Sequence, residues 1–201
     1  LPQYDKVIYA DTDVLFKWDL ADIYKESLEG YDCAAVAMEP NNDKMICHKY
    51  FPENKKGLTF ISSFIIFNCK KLREEGFVNK VFDIIKTFNT RLKFFDLDTL
   101  NLACSNIKAL PYRYGVFQSI YYHDDFEKSS WEYSFLKNVY SKEEIEKEKE
   151  NTVMLHYAGK PGKPWRFKHV PQDYKKCMDT IPKALRKYTF RDIRKKLFSK
   201  V

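Results

Sequence analysis

Glycine and proline are scarce, six and eight in 201 residues. That excludes collagen-like and low-complexity disordered chains, and no internal repeat is visible. Paired cysteines are missing too. Cys33, Cys47, Cys69, Cys104 and Cys177 are odd in number and contain no CxxC spacing. Neither a disulfide framework nor a structural zinc site is expected, and reduced thiols are the default. No apolar run approaches the ~20 residues of a membrane span. The longest, Phe60 to Phe67, is interrupted by Ser62 and Ser63 and reads as a buried strand. A leading methionine is also lacking: the chain opens at Leu1 and a strand pattern begins almost at once, so a processed chain or a piece of a longer one is expected.

What is present is an ordinary globular balance, 44% hydrophobic, 31% charged and 16% aromatic. The length suits one domain burying roughly 70% of the surface its unfolded chain exposes. The net charge of +7 is unevenly spread. Residues 1–50 hold ten acids and five bases, whereas residues 160–201 hold fourteen bases and three acids. The bases gather at one end without a recognised nucleic-acid motif, so nucleic acid is not an expected partner.

Val7-Ile8-Tyr9-Ala10 reads as a short strand ending at Asp11-Thr12-Asp13. Asp19 to Glu29 has helical spacing, with Asp19 as a candidate N-cap and Gly30 as a C-cap. Cys33–Ala37 and Thr59–Asn68 read as buried strands, and the polar stretch 39–57 between them as a loop over a site. Lys70–Thr87 is an amphipathic helix interrupted near Gly76, and Asp96–Ser105 a helix entered through Asp96. Ile107–Leu110 and Thr152–His156 are further strands, and Ser141 with Glu144 forms a capping box ahead of a charged helix. Strands and helices alternating in this way predict an α/β domain with a mainly parallel sheet.

Two constellations carry chemistry. Side chains two apart on extended chain point the same way. Asp11 and Asp13 can therefore face one ligand at a strand's carboxyl end, where α/β sheets place their crevice. Paired carboxylates there suit Mg²⁺ or Mn²⁺ with a polyphosphate. The same pair could instead cap the helix starting near Asp19. In the second constellation His156 closes a strand and is followed by Gly159, Lys160, Gly162, Lys163 and Trp165 in a proline-rigidified loop. An imidazole ligand beside ammonium groups for phosphate is one reading; a satisfied structural histidine is the other.

Tyr9 to Phe16, Asp96-Leu97-Asp98-Thr99-Leu100-Asn101 and the run His156 to Trp165 occur in this order. Together they resemble glycosyltransferase family 8, retaining enzymes of the GT-A fold that use nucleotide sugars, with the bacterial lipopolysaccharide and capsule enzymes nearest. The resemblance spans residues 1–170. It implies a mixed α/β sheet flanked by helices, with Asp11, Asp13 and His156 as ligands of Mn²⁺ (or Mg²⁺) on a UDP-sugar diphosphate. It further implies that Thr12, Gly159 and Lys163 lie against the phosphates, and that Asp96, Asp98 and Asn101 lie under the donor sugar, the two aspartates in catalytic roles. Two positions depart from the family pattern: its central Gln is Leu97 here and its strand Asn is Ile61. The loop between Gly159 and Lys163 is one residue longer than usual.

Family members place nucleotide-binding strands before the Asp-x-Asp, and only ten residues precede Asp11 here. The expectation is that two to three βα units, about 60–90 residues, belong upstream. Residues 1–180 are then the later two-thirds of a catalytic domain and 181–201 a basic amphipathic tail. Lys183, Arg186, Lys187, Arg191, Arg194, Lys195, Lys196 and Lys200 alternate there with Leu, Tyr, Phe and Ile. Such a segment suits an anionic membrane surface where glycolipid acceptors reside, placing the protein in the cytoplasm, peripheral on the inner membrane face. Two other readings compete with a hexosyltransferase of the EC 2.4.1 class acting on a cell-surface glycan. One is an impaired transferase-like scaffold, suggested by Leu97 and Ile61. The other is a haloacid-dehalogenase-type phosphatase with Asp11 as nucleophile and Asp13 as acid; it needs a later Gly-Asp…Asp metal motif on a strand end, a setting that Asp124-Asp125, following Tyr-Tyr-His, lacks.

Overall fold

The structure is a computed structural model that describes residues 2–159, 163–164 and 170–185. The chain forms two compact units, residues 1–156 and 157–201.

The first unit is built on two sheets. The larger takes β1 (Lys6–Ala10), β3 (Cys33–Pro40), β4 (Leu58–Asn68) and β5 (Ile107–Leu110) in the order β1-β4-β3-β5. The smaller takes β2 (Val14–Phe16), β6 (Val116–Phe117) and β7 (Met154–His156) in the order β2-β7-β6. Helices α1 (Ala21–Lys25), α2 (Cys69–Glu74), α3 (Phe77–Phe88), α4 (Phe95–Ala103), α5 (Gln118–Tyr121), α6 (Phe126–Ser129), α7 (Trp131–Leu136) and α8 (Lys142–Glu150) complete it. In the second unit the described residues form α9 (Gln172–Thr180) and a short 3₁₀ turn, Lys183–Leu185.

The architecture is the expected mixed α/β one, with one correction. The sheet is not mainly parallel among the described strands: β1 and β3 both run antiparallel to β4, and β2 runs antiparallel to β7. Only β3 with β5 and β6 with β7 are parallel. The continuous apolar runs of β3 and β4 resemble parallel strands because both are central and covered on two faces. Every residue from Cys33 to Glu39 and from Thr59 to Ile66 is buried. Small side chains at Ala35 and Ala37 let Phe60, Ile65 and Cys104 close over that centre, with Leu100 of α4 and Phe77 of α3 packed against it.

Local signals translate directly. Gly76 adopts φ +63°, the left-handed conformation glycine tolerates, and separates α2 from α3 where one amphipathic helix was expected to be interrupted. Ser141 accepts from the Glu144 amide, and the Glu144 side chain accepts from the Ser141 amide, so the capping box starts α8. The helix expected over Asp19 to Glu29 shortens to α1, with Asp19 accepting from the Ala21 amide. The basic segment from 186 onward lies outside the described residues, as do 160–162 and 165–169.

Candidate metal and donor site

β1 and β2 are consecutive strands in different sheets, and Asp11-Thr12-Asp13 is the crossing between them. The Asp11 amide still belongs to the first sheet, donating to the Ser63 carbonyl at 3.0 Å. Asp13 precedes β2, whose Val14 stands opposite His156 in the antiparallel register of the second sheet. Chain crossing and register together bring three side chains to one place. Carboxylate oxygens of Asp11 and Asp13 and a ring nitrogen of His156 all lie within 4.8 Å of one another. His156 Nε2 is 3.8 Å from Asp13 Oδ1, and the imidazole is stacked on Phe117 of β6 at 5.4 Å and 28°.

Tyr9 joins this cluster from β1. Its hydroxyl donates to Asp11 Oδ1 at 2.7 Å. That hydrogen bond, then burial, then the negative charges of Asp11, Asp96 and Asp13 push the phenol up to about 12. Asp96 is exposed in the first turn of α4. Motif spacing alone drew attention away from Tyr9. The usable signal was its position two residues before Asp11 on extended chain, hence on the same face.

Other expected site residues fall into different settings. Asp98 is buried, and its Oδ2 accepts from the amides of Lys93 (2.7 Å) and Phe94 (2.8 Å), closing the first turn of α4. Asn101 is buried against β4: its Nδ2 donates to the carbonyls of Phe60 (2.8 Å) and Leu97 (2.9 Å), and its Oδ1 accepts from the Phe60 amide (2.9 Å). Both side chains are thus committed to backbone. Thr12 is exposed in the crossing, and Leu97 and Ile61 are buried. In the second unit Gly159 has φ +65°, and Lys163 Nζ donates to the Tyr157 carbonyl at 2.9 Å. Asp124, the acid a phosphatase would need on a strand end, lies in the turn between α5 and α6 and reaches Lys149 at 3.4 Å.

Residues 1–169 match the family model described as glycosyl transferase family 8. The chain belongs to glycosyl transferase family 8. Within that family it is 25% identical, over 182 residues, to the lipopolysaccharide 1,2-glucosyltransferase of Escherichia coli (strain K12). The alignment covers 89% of this chain and 50% of that relative, so the chain spans about half the relative's length. Among solved structures it is similar to the galactosyltransferase LgtC in complex with donor and acceptor sugar analogs (TM-score 0.57, 18% identity, 90% of this chain and 64% of that one). It is also similar to the apo form of the glycosyltransferase GlyE of Streptococcus pneumoniae TIGR4 (TM-score 0.59, 21% identity, 98% and 43%). A third neighbour is the bifunctional WbbM (TM-score 0.63, 21% identity, 96% and 34%). At these identities the structural likeness establishes the GT-A type of α/β fold.

Proposed function

We propose that this family 8 chain is the later part of a metal-dependent retaining glycosyltransferase. It moves a hexose, glucose or galactose, from a UDP-sugar to a cell-surface glycan such as lipopolysaccharide or capsule. The observation that carries this reading is the convergence of Asp11, Asp13 and His156. A small divalent cation binds oxygen at about 2.1 Å, so donors on opposite sides of it stand about 4.2 Å apart. Three ligand atoms within 4.8 Å fit that span with little adjustment. An O₂N donor set favours Mn²⁺, with Mg²⁺ as the harder alternative.

When bound, such a cation supplies Lewis-acid neutralisation of the charge that builds on the departing diphosphate. The chain's own residues do the rest. Tyr9 holds Asp11 Oδ1 and so orients that carboxylate. Lys163 brings a point charge to phosphate, and the open backbone at Gly159 allows close approach. Thr12 lies between the two carboxylate ligands, beside the phosphates. Asp96, exposed in the first turn of α4, would lie under the donor sugar and favour the positive charge that develops at the anomeric carbon. Asp98 and Asn101 contribute by fixing α4. Leu97 and Ile61 place hydrocarbon where the family has amides, so neither supplies a nucleophile or a hydrogen bond to the sugar.

The test is a full-length preparation incubated with Mn²⁺ and a panel of UDP-sugars. Release of UDP from UDP-glucose or UDP-galactose, lost on chelation and restored by Mn²⁺, is expected. No release from any donor overturns the enzyme reading, and calorimetric Mn²⁺–UDP binding without turnover makes the domain a scaffold. The basic tail is proposed to hold the protein on the inner face of the cytoplasmic membrane. No helix among the described residues is long and apolar enough to cross one. Cosedimentation with anionic liposomes is expected to be lost on removing residues 183–201, and equal sedimentation of both forms excludes that role.

A further inference from the structure

Glu39 is a carboxylate sealed inside the first unit, 1% exposed near the end of β3. Three successive residues of the loop 41–57 converge on it. Its Oε2 accepts from the amides of Ile46 (2.9 Å) and Cys47 (3.2 Å). Its Oε1 accepts from the amide of His48 (2.7 Å) and lies 2.9 Å from His48 Nδ1. Burial on its own would push this carboxyl up, but the hydrogen bonds from His48 and the three amides more than offset it and hold the group below the usual range.

Glu39, Cys47 and His48 also present ligand atoms within 4.8 Å of one another, yet the cluster is not built for a cation. Each carboxylate oxygen already has two donors, which fills the roughly four acceptor positions a carboxylate offers. Burial, with the charge of Glu39 adding to it, pushes the Cys47 thiol up to about 12. The amides take up the acceptor positions of the carboxylate, and the product of the arrangement is a fixed loop.

That loop in turn grips α4 at both ends. At the near end the Cys47 carbonyl accepts from Lys93 Nζ, and the His48 ring meets Phe94 edge-on at 5.0 Å. Lys93 and Phe94 are the two residues whose amides are held by Asp98 ahead of Asp96. At the far end Lys56 Nζ donates to the carbonyls of Asn101 (2.5 Å) and Cys104 (2.9 Å). Asn41 ties the middle of the loop, donating to the carbonyls of Phe51 (2.8 Å) and Asn54 (2.9 Å). Asp11, Asp13 and His156 are carried by other elements, the β1–β2 crossing and β7.

We propose that Glu39 is the positioning residue for Asp96: its carboxylate fixes residues 46–48, these fix Lys93 and Phe94, and the start of α4 is thereby set against the donor site. The inference rests on the transferase reading above and adds a residue that touches neither substrate nor metal. Its signature is a split between binding and turnover. In full-length Glu39→Gln, shape is kept but one acceptor becomes a donor facing amide N–H groups. Transfer is expected to show kcat lowered about 10- to 100-fold, as for a misplacement near 1 Å. Donor KM and the calorimetric affinity for Mn²⁺ with UDP should stay within about twofold, the scale of an unperturbed site. Trypsin should cut faster after Lys44 or Lys49, both exposed on the released loop.

Lys93→Met removes the Lys93–Cys47 hydrogen bond at the start of α4 without touching the buried carboxylate, and the same kcat-only loss is expected from a fully folded protein. Unchanged kcat in both variants overturns the proposal. So does a parallel fall of kcat and Mn²⁺–UDP affinity, the mark of general damage. A parent enzyme that turns over no donor would instead remove the transferase reading, and with it any role for Asp96.

Discussion

Asp13→Ala is expected to lower sugar transfer by about 10³-fold or more, the scale on which losing one preorganised electrostatic contact to a transition state is felt. Asp13 is the member of the cluster that meets the other two: it lies beside His156 at 3.8 Å and shares the crossing with Asp11. Its removal leaves one carboxylate and one imidazole, too few to hold a divalent cation against water. Calorimetric titration of Mn²⁺ in the presence of UDP should show the binding isotherm flatten, with UDP release falling in step. Asp13→Asn keeps an oxygen and loses the charge, and should fall between parent and alanine variant. Asp11→Asn has a separate readout. Removing the charge and weakening the hydrogen bond that raise Tyr9 should bring its phenol back toward 10, visible in an ultraviolet titration of tyrosinate. Full Mn²⁺–UDP affinity in Asp13→Ala would show that the cation is held elsewhere.

The second large effect concerns stability. Asp32, 1% exposed just before β3, joins three segments. Its Oδ2 accepts from the amides of Ser105 (2.6 Å) and Asn106 (3.0 Å) ahead of β5, and its Oδ1 pairs with Lys71 of α2. Asp32→Ala leaves the Ser105 and Asn106 amides without their acceptor and takes one of two carboxylate partners from Lys71, which keeps Glu75 at 2.7 Å; the expected cost is about 3–5 kcal/mol, most of it from the two stranded amides. At this size that corresponds to a fall in Tm on the order of 10 °C.

The pH dependence follows from the direction of the shift. Burial raises the Asp32 carboxyl, but Lys71 and the two amides outweigh it and the group is held low. A depressed folded value means the stabilisation is complete above the unfolded carboxylate value of about 3.9, and is lost as pH falls through the lower folded one. Urea midpoints of parent and variant should therefore stand far apart at pH 7 and converge at the acid end. A constant gap over the whole range would show that Asp32 acts through shape and not through charge.

The elements that local chemistry specifies were legible in the residues themselves. Ser141 with Glu144 states a helix start within four positions. Gly76 marks a break that needs positive φ, and Val7–Ala10 and Thr59–Asn68 declare strands by their apolar runs. The family motifs pointed to Asp11, Asp13 and His156, whose ligand atoms the fold brings within 4.8 Å of one another. Strand direction was not legible, because β3 and β4 are covered on both faces and so lack the alternation that distinguishes antiparallel strands. Glu39 was hidden for a related reason. Its partners are backbone amides seven to nine residues away, and amides carry no signature in a sequence. Asp98 and Asn101 show the converse, since a motif names residues together and only coordinates separate those on backbone from those near the ligand cluster.

The pairing of β2 with β7 also governs when the site can exist. Val14 stands opposite His156, so strands from the two ends of the first unit must meet before the third ligand joins the two aspartates. Contacts this distant in sequence form late and slow folding. On a ribosome the aspartates emerge long before the histidine. Until residue 156 is out, β2 has no β7 to pair with, and the nascent chain carries an open strand edge beside two uncompensated negative charges.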